Sequence, residues 1–70
     1  MKDTKVLITK ADSVYQWTFD RDDIQEIHAR MLDLTDFDLE IADEAVRWVL
    51  DAPLGANYAF REGWIDMVEV

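Results

Sequence analysis

Seventy residues make one domain with a small core, and the absence of cysteine removes disulfides and thiolate metal sites as a source of stability. Sixteen acids against seven Lys and Arg give a net charge of −9, which repels nucleic acid and anionic lipid and attracts basic protein surfaces. Half the residues are apolar, which excludes a disordered chain, and no apolar run approaches the roughly 20 residues of a membrane span.

The opening segment, MKDTKVLITKADS, lacks the apolar core of a signal peptide, so the expected setting is cytoplasmic. From Lys5 to Asp20 the pattern predicts a β-hairpin, with strands over residues 4–10 and 14–20 and a turn at Ala11, Asp12 and Ser13. Tyr15, Trp17 and Phe19 alternate with Val14, Gln16, Thr18 and Asp20, the period of a half-buried strand. Their aromatic face, with Val6 and Ile8 of the first strand, is expected to point at the core.

A helix is predicted over residues 21–33. Asp20 suits the N-cap, and Asp22 and Asp23 suit the first turn, where carboxylates complement the helix dipole. Ile24, Ile27, Met31, Leu32 and Leu34 share one arc, and Glu26 and Arg30 form an i,i+4 pair in the favourable order. A second helix is predicted over residues 36–51. Thr35 would cap it, with Asp38 completing an Asp version of the capping box. Its apolar residues, including Phe37, Leu39, Trp48 and Leu50, cover about 220° of the helical wheel, and Asp43, Arg47, Glu40, Asp51 and Glu44 fill the rest as a stripe. Pro53 and Gly55 end this helix.

The last segment, NYAFREGWIDMVEV, predicts one or two strands, over about 57–61 and 64–70, with a turn at Glu62 and Gly63. The order is ββααβ or ββααββ. It specifies a single α+β domain over residues 1–70: an antiparallel sheet of three to four strands with two helices packed on one face.

The charge is unevenly spread. Residues 20–51 carry eleven acids and three Arg, whereas residues 1–19 carry two Asp and three Lys. Helix starts account for about half of the central acids. Asp43, Glu44 and Asp51 lie beyond any first turn, and Arg47 is placed to bridge Asp43 and Asp51. Between Asp36 and Glu44 five carboxylates occupy about 12 Å of helix, one per roughly 2.4 Å, against about 3.4 Å per phosphate along one strand of B-DNA. The composition is similar to that of small acidic inhibitors of DNA-acting systems, including phage anti-restriction and anti-CRISPR proteins. That is a likeness of type, carried by no motif.

The expected function is therefore a small inhibitory or regulatory binding protein, not an enzyme. It would present a DNA-mimic-like surface to a basic site on a nucleic-acid enzyme or complex. Asp36, Asp38, Glu40, Asp43 and Glu44 would carry the contact, with Asp22, Asp23 and Glu26 as an adjoining patch; no direct binding to nucleic acid or membrane is expected. The alternative is a homo-oligomerising or scaffold domain, a homodimer for example, working through the wide apolar arc or a sheet edge, with Trp48, Tyr58 and Phe60 as contacts. The three tryptophans, Trp17, Trp48 and Trp64, otherwise fit one shared core.

No cofactor or metal is expected. Asp36, Asp38 and Glu40 alternate as at the start of an EF-hand loop, but Ile41 and Arg47 stand where that loop needs Gly and Glu. His28, the one histidine, sits at the edge of an apolar arc, and Ser13, the one serine, sits in a turn. Neither has the neighbours that nucleophilic catalysis requires.

Overall fold

A computed structural model describes residues 4–69. Its elements are β1 (Thr4–Lys10), β2 (Gln16–Asp20), α1 (Ile24–Leu34), α2 (Leu39–Asp51), β3 (Asn57–Phe60) and β4 (Gly63–Glu69). The order is ββααββ, an α+β fold. Val70, placed by the sequence in the last strand, lies outside the described residues.

The four strands form one antiparallel sheet in the order β2-β1-β4-β3. β1 and β4 are central, and their inward residues Val6, Ile8, Ile65 and Met67 are fully buried. The register stacks them in rows: Val6 lies between Phe19 and Met67, and Ile8 between Trp17 and Ile65, with Tyr58 opposite Ile65. Period two thus puts every large inward side chain on the face that the helices cover. α1 contributes Ile27 and Met31 to this core, and α2 contributes Ala42, Ala45 and Val49. The small residues of α2 let its backbone approach α1 and the sheet. No helix is long and apolar enough to cross a membrane among the described residues.

Gly63 opens β4 against the backbone of Thr9 and Ala11 at the end of β1. A Cβ there would collide with the Thr9 carbonyl oxygen and lie 3.1 Å from its carbon and 3.2 Å from the Ala11 nitrogen. The expected turn at Glu62 and Gly63 therefore moves back by one residue, and Gly63 pairs with Lys10 and Phe60 inside the ladder.

Helix starts differ from expectation. Asp20 does not cap α1; it ends β2, its carbonyl accepting the Asp23 amide at 3.1 Å and its own amide donating to Asp23 Oδ2 at 3.3 Å. Asp23 is the N-cap, so Asp22 and Asp23 precede the helix, and Glu26 is the acid of its first turn. Thr35 does not cap α2. It closes α1, its hydroxyl donating to the Met31 carbonyl at 2.7 Å and accepting the Asp38 amide at 3.3 Å. Asp38 caps α2 instead, accepting the Ile41 amide at 3.2 Å. At α2 the cause is the reversal between the helices. Asp36 and Phe37 both have positive φ, at 57° and 64°, and the Phe37 amide returns to the Leu32 carbonyl at 2.7 Å in a Schellman-type closure. Two residues turned this way delay α2 to Leu39.

Two aromatic placements also differ. β2 begins at Gln16, not Val14, because Ser13 Oγ accepts the Tyr15 amide at 3.1 Å and Asp12 has positive φ, so a five-residue loop replaces the three-residue turn. Tyr15 is mostly exposed, stacked on Trp17 with centroids 6.2 Å apart. Trp64 does not join Trp17 and Trp48 in one core. Ile65 and Met67 fix the parity of β4, so Trp64 points to the sheet face away from the helices and is 39% exposed.

Candidate functional site: the outer face of the helical hairpin

The helices run antiparallel. The short loop joins the end of α1 to the start of α2. At the other end Arg21, just before α1, donates through Nη1 to the Val49 carbonyl at 3.1 Å and the Leu50 carbonyl at 3.3 Å. Those carbonyls lie in the last turn of α2, which has no basic residue of its own, so Arg21 is the cation at its negative pole.

Burial of Ala42, Ala45 and Val49 fixes which side of α2 faces inward. On a wheel of about 100° per residue the opposite side carries Glu40, Asp43, Glu44, Arg47 and Asp51. All five are exposed, as are Asp36 and Asp38 in the preceding loop. The stripe read from the sequence is thus one outward surface. From residue 31 to residue 46 there are six acids and no Lys or Arg.

Several of these carboxylates have partners within the chain. His28 Nε2 donates to Asp43 Oδ1 at 2.8 Å, tying α1 to α2. The Tyr58 hydroxyl donates to Glu44 Oε1 at 2.9 Å, tying α2 to β3. Tyr58 is pushed up to about 12, chiefly by burial and then by the hydrogen bond and charge of Glu44, with a smaller push from Asp38. Asp38 and Glu44 therefore act on one neighbourhood. Arg47 does not bridge Asp43 and Asp51 through their carboxylates; its Nε donates to the Asp43 backbone carbonyl at 3.4 Å. Arg30 pairs with Asp33 at 3.2 Å, not with Glu26, and its guanidinium lies 4.5 Å above the Trp17 ring.

The patch formed by Asp22, Asp23 and Glu26 does not adjoin Asp36, Asp38 and Glu40, the loop end of the expected contact group; Asp43, bonded to His28 of α1, is the part of that group nearer to it. The patch lies at the α1 start, beside the α2 end, and α2 separates it from that loop end by about 18 Å of helix. The carboxylates of Asp20, Asp22 and Asp23 come within 4.8 Å of one another, and the Lys5 ammonium pairs with Asp20. These three are the described residues best placed to receive a cation, and the neighbouring Lys5 already offsets part of their charge.

Trp48, Tyr58 and Phe60 are half-buried and pack on the core. Trp48 and Tyr58 have centroids 5.4 Å apart, and Tyr58 and Phe60 6.3 Å, so the trio joins α2 to the β3 edge. The apolar groups that do face outward near the carboxylates are others: Phe37, 74% exposed, and Leu39, 61% exposed, with Leu50 further along α2. The helical wheel places Phe37 and Leu39 on the broad apolar arc of α2; Phe37 instead precedes the helix. The pair Thr35 and Asp38, both able to cap, was the signal that Phe37 could lie before the helix. No family model, curated protein or solved structure matches the chain.

Proposed function

We propose that the chain is a small inhibitory or regulatory binding protein. Its α1–α2 loop and the outer face of α2 would contact a basic site on a nucleic-acid enzyme or complex, in the manner of anti-restriction and anti-CRISPR proteins. The observation that carries this reading is the outward placement of exposed Asp36, Asp38, Glu40, Asp43 and Glu44 on a face where Arg47 is the one basic residue that α2 supplies. Held on the α1–α2 loop and along α2, these charges would act as a fixed negative field and attract Lys and Arg side chains that otherwise hold phosphates. The proposed setting is intracellular, where such targets reside.

The internal bonds of Asp43 and Glu44 divide the labour. Tied to His28 and Tyr58, they would give direction to the field at low entropic cost. Asp36 and Glu40 have side chains more available to a partner. A clean test changes those two. Immobilised wild-type protein, incubated with cell lysate at low salt, is expected to retain a nucleic-acid-binding protein that high salt releases. The Asp36→Lys/Glu40→Lys variant is expected to retain none. Retention that is indifferent to both salt and charge reversal would overturn the proposal. It would favour the apolar alternative, oligomerisation through a surface such as Trp48, Tyr58 and Phe60, although those three rings pack mainly on the protein's own core.

A further inference from the structure

We propose that Phe37, with Leu39 beside it, is the apolar anchor of the interface, and that the partner's site is an apolar pocket rimmed by Lys or Arg. This rests on the carboxylate-surface reading above and specifies the partner beyond it. A pure phosphate mimic has no use for an exposed aromatic. Here a Phe stands 74% exposed at the tip of the helical reversal, with Leu39 61% exposed two residues on. Its φ of 64° is a conformation that side chains larger than Gly or Asn rarely adopt, so local backbone preference does not explain the residue. Buried aromatics surrounded by polar contacts are the usual energetic centre of a protein interface.

Charge complementarity selects the occupant. Exposed Asp36 and Asp38 flank Phe37 in the chain, and exposed Glu40 follows Leu39. A second copy of this chain would bring the same carboxylates face to face, on a molecule of net charge −9. A nucleic acid or an anionic bilayer would bring phosphates against them. A basic-rimmed protein pocket satisfies both the acids and the ring. Two apolar side chains do not make a whole interface, which buries about 800 Å² on each partner; the remainder would be the carboxylate face of α2.

Two synthetic probes separate the anchor from the charge: a short oligolysine, and a peptide of equal charge with Leu interleaved along one helical face. Each is titrated at low salt into the full ¹⁵N-labelled chain, followed by amide shifts. The Leu-bearing peptide is expected to bind at least about tenfold tighter than oligolysine, a gain of about 1.4 kcal/mol, with the largest shifts at Phe37 and Leu39. Phe37→Gly and Phe37→Asn accept the positive φ and keep the fold. Both are expected to bind oligolysine as wild type does and to lose the tenfold preference. Oligolysine binding with no gain from Leu, or a gain that survives both substitutions, overturns the anchor and leaves the carboxylate reading standing. No binding of either probe overturns both. Self-association by sedimentation, abolished in Phe37→Gly, overturns the anchor by assigning the patch to a second copy.

Discussion

Replacing Gly63 by Ala tests the sheet that holds the helical hairpin. The added methyl would overlap the Thr9 carbonyl oxygen and sit 3.1 Å from its carbon and 3.2 Å from the Ala11 nitrogen, inside ordinary contact of about 3.4 Å. All three neighbours are backbone, so no side chain can rotate away. Strand β1 must instead shift from β4 at the Lys10–Gly63 pair, which strains the adjoining bond from the Ala11 amide to the Glu62 carbonyl at 2.9 Å. Overpacking costs about 1–3 kcal/mol, and one weakened ladder bond adds about 1 kcal/mol. For a domain of this size, roughly 2–4 kcal/mol lowers Tm by about 8–30 °C. Gly55→Ala is the control. Gly55 has φ 88° but nothing within 4 Å of a built Cβ, so its cost is conformational, about 1–2 kcal/mol. Thermal unfolding by far-UV circular dichroism reads both. Gly63→Ala is expected to be the more damaging. A loss below about 3 °C, or a smaller loss than Gly55→Ala shows, refutes the packing argument.

Three further outcomes follow from the helix contacts. In a Tyr15→Phe background, ultraviolet titration of the remaining tyrosine is expected to give a midpoint of about 12, and Glu44→Gln is expected to lower it while leaving it above 10, because burial is the larger cause. The folded state holds this proton more tightly than the unfolded chain, so the associated stability is complete below pH 10 and is lost as pH rises from 10 to 12. Asp38→Ala removes the cap of α2 and is expected to cost about 1 kcal/mol in urea denaturation, whereas Asp38→Asn keeps the acceptor and costs much less. Arg21→Met removes the cation from the Val49 and Leu50 carbonyls, and should cost about 0.5–2 kcal/mol and speed amide exchange in the last turn of α2.

Periodic features were legible in the sequence. Val6 and Ile8 revealed the inward face of β1, and the wheel of α2 gave both its buried alanines and its acidic stripe, because a helical period fixes faces without knowledge of neighbours. Boundaries were less legible. Aspartate suits an N-cap, a first turn and a left-handed residue alike, so Asp20, Asp23, Asp36 and Asp38 could each be assigned more than one way; the reversal at Asp36 and Phe37 decided the α2 start, and the bonds between Asp20 and Asp23 the α1 start. Trp64 was misplaced because size suggested burial, whereas the parity of β4 is set by Ile65 and Met67. The bonds from His28 to Asp43 and from Tyr58 to Glu44 join residues 15 and 14 positions apart and have no local signature. The distance between the two acidic patches depends on the antiparallel helix pair, which composition does not encode.

The most direct measurement is the association rate of the wild-type chain with its captured partner across a salt series, beside the Asp36→Lys/Glu40→Lys variant. An electrostatically steered encounter predicts a wild-type rate that falls by about tenfold or more as salt shortens the Debye length from about 30 Å at 0.01 M to about 8 Å at 0.15 M. The variant should start slow and respond weakly. Equal rates for the two proteins, flat across the series, would contradict the carboxylate surface as the working face.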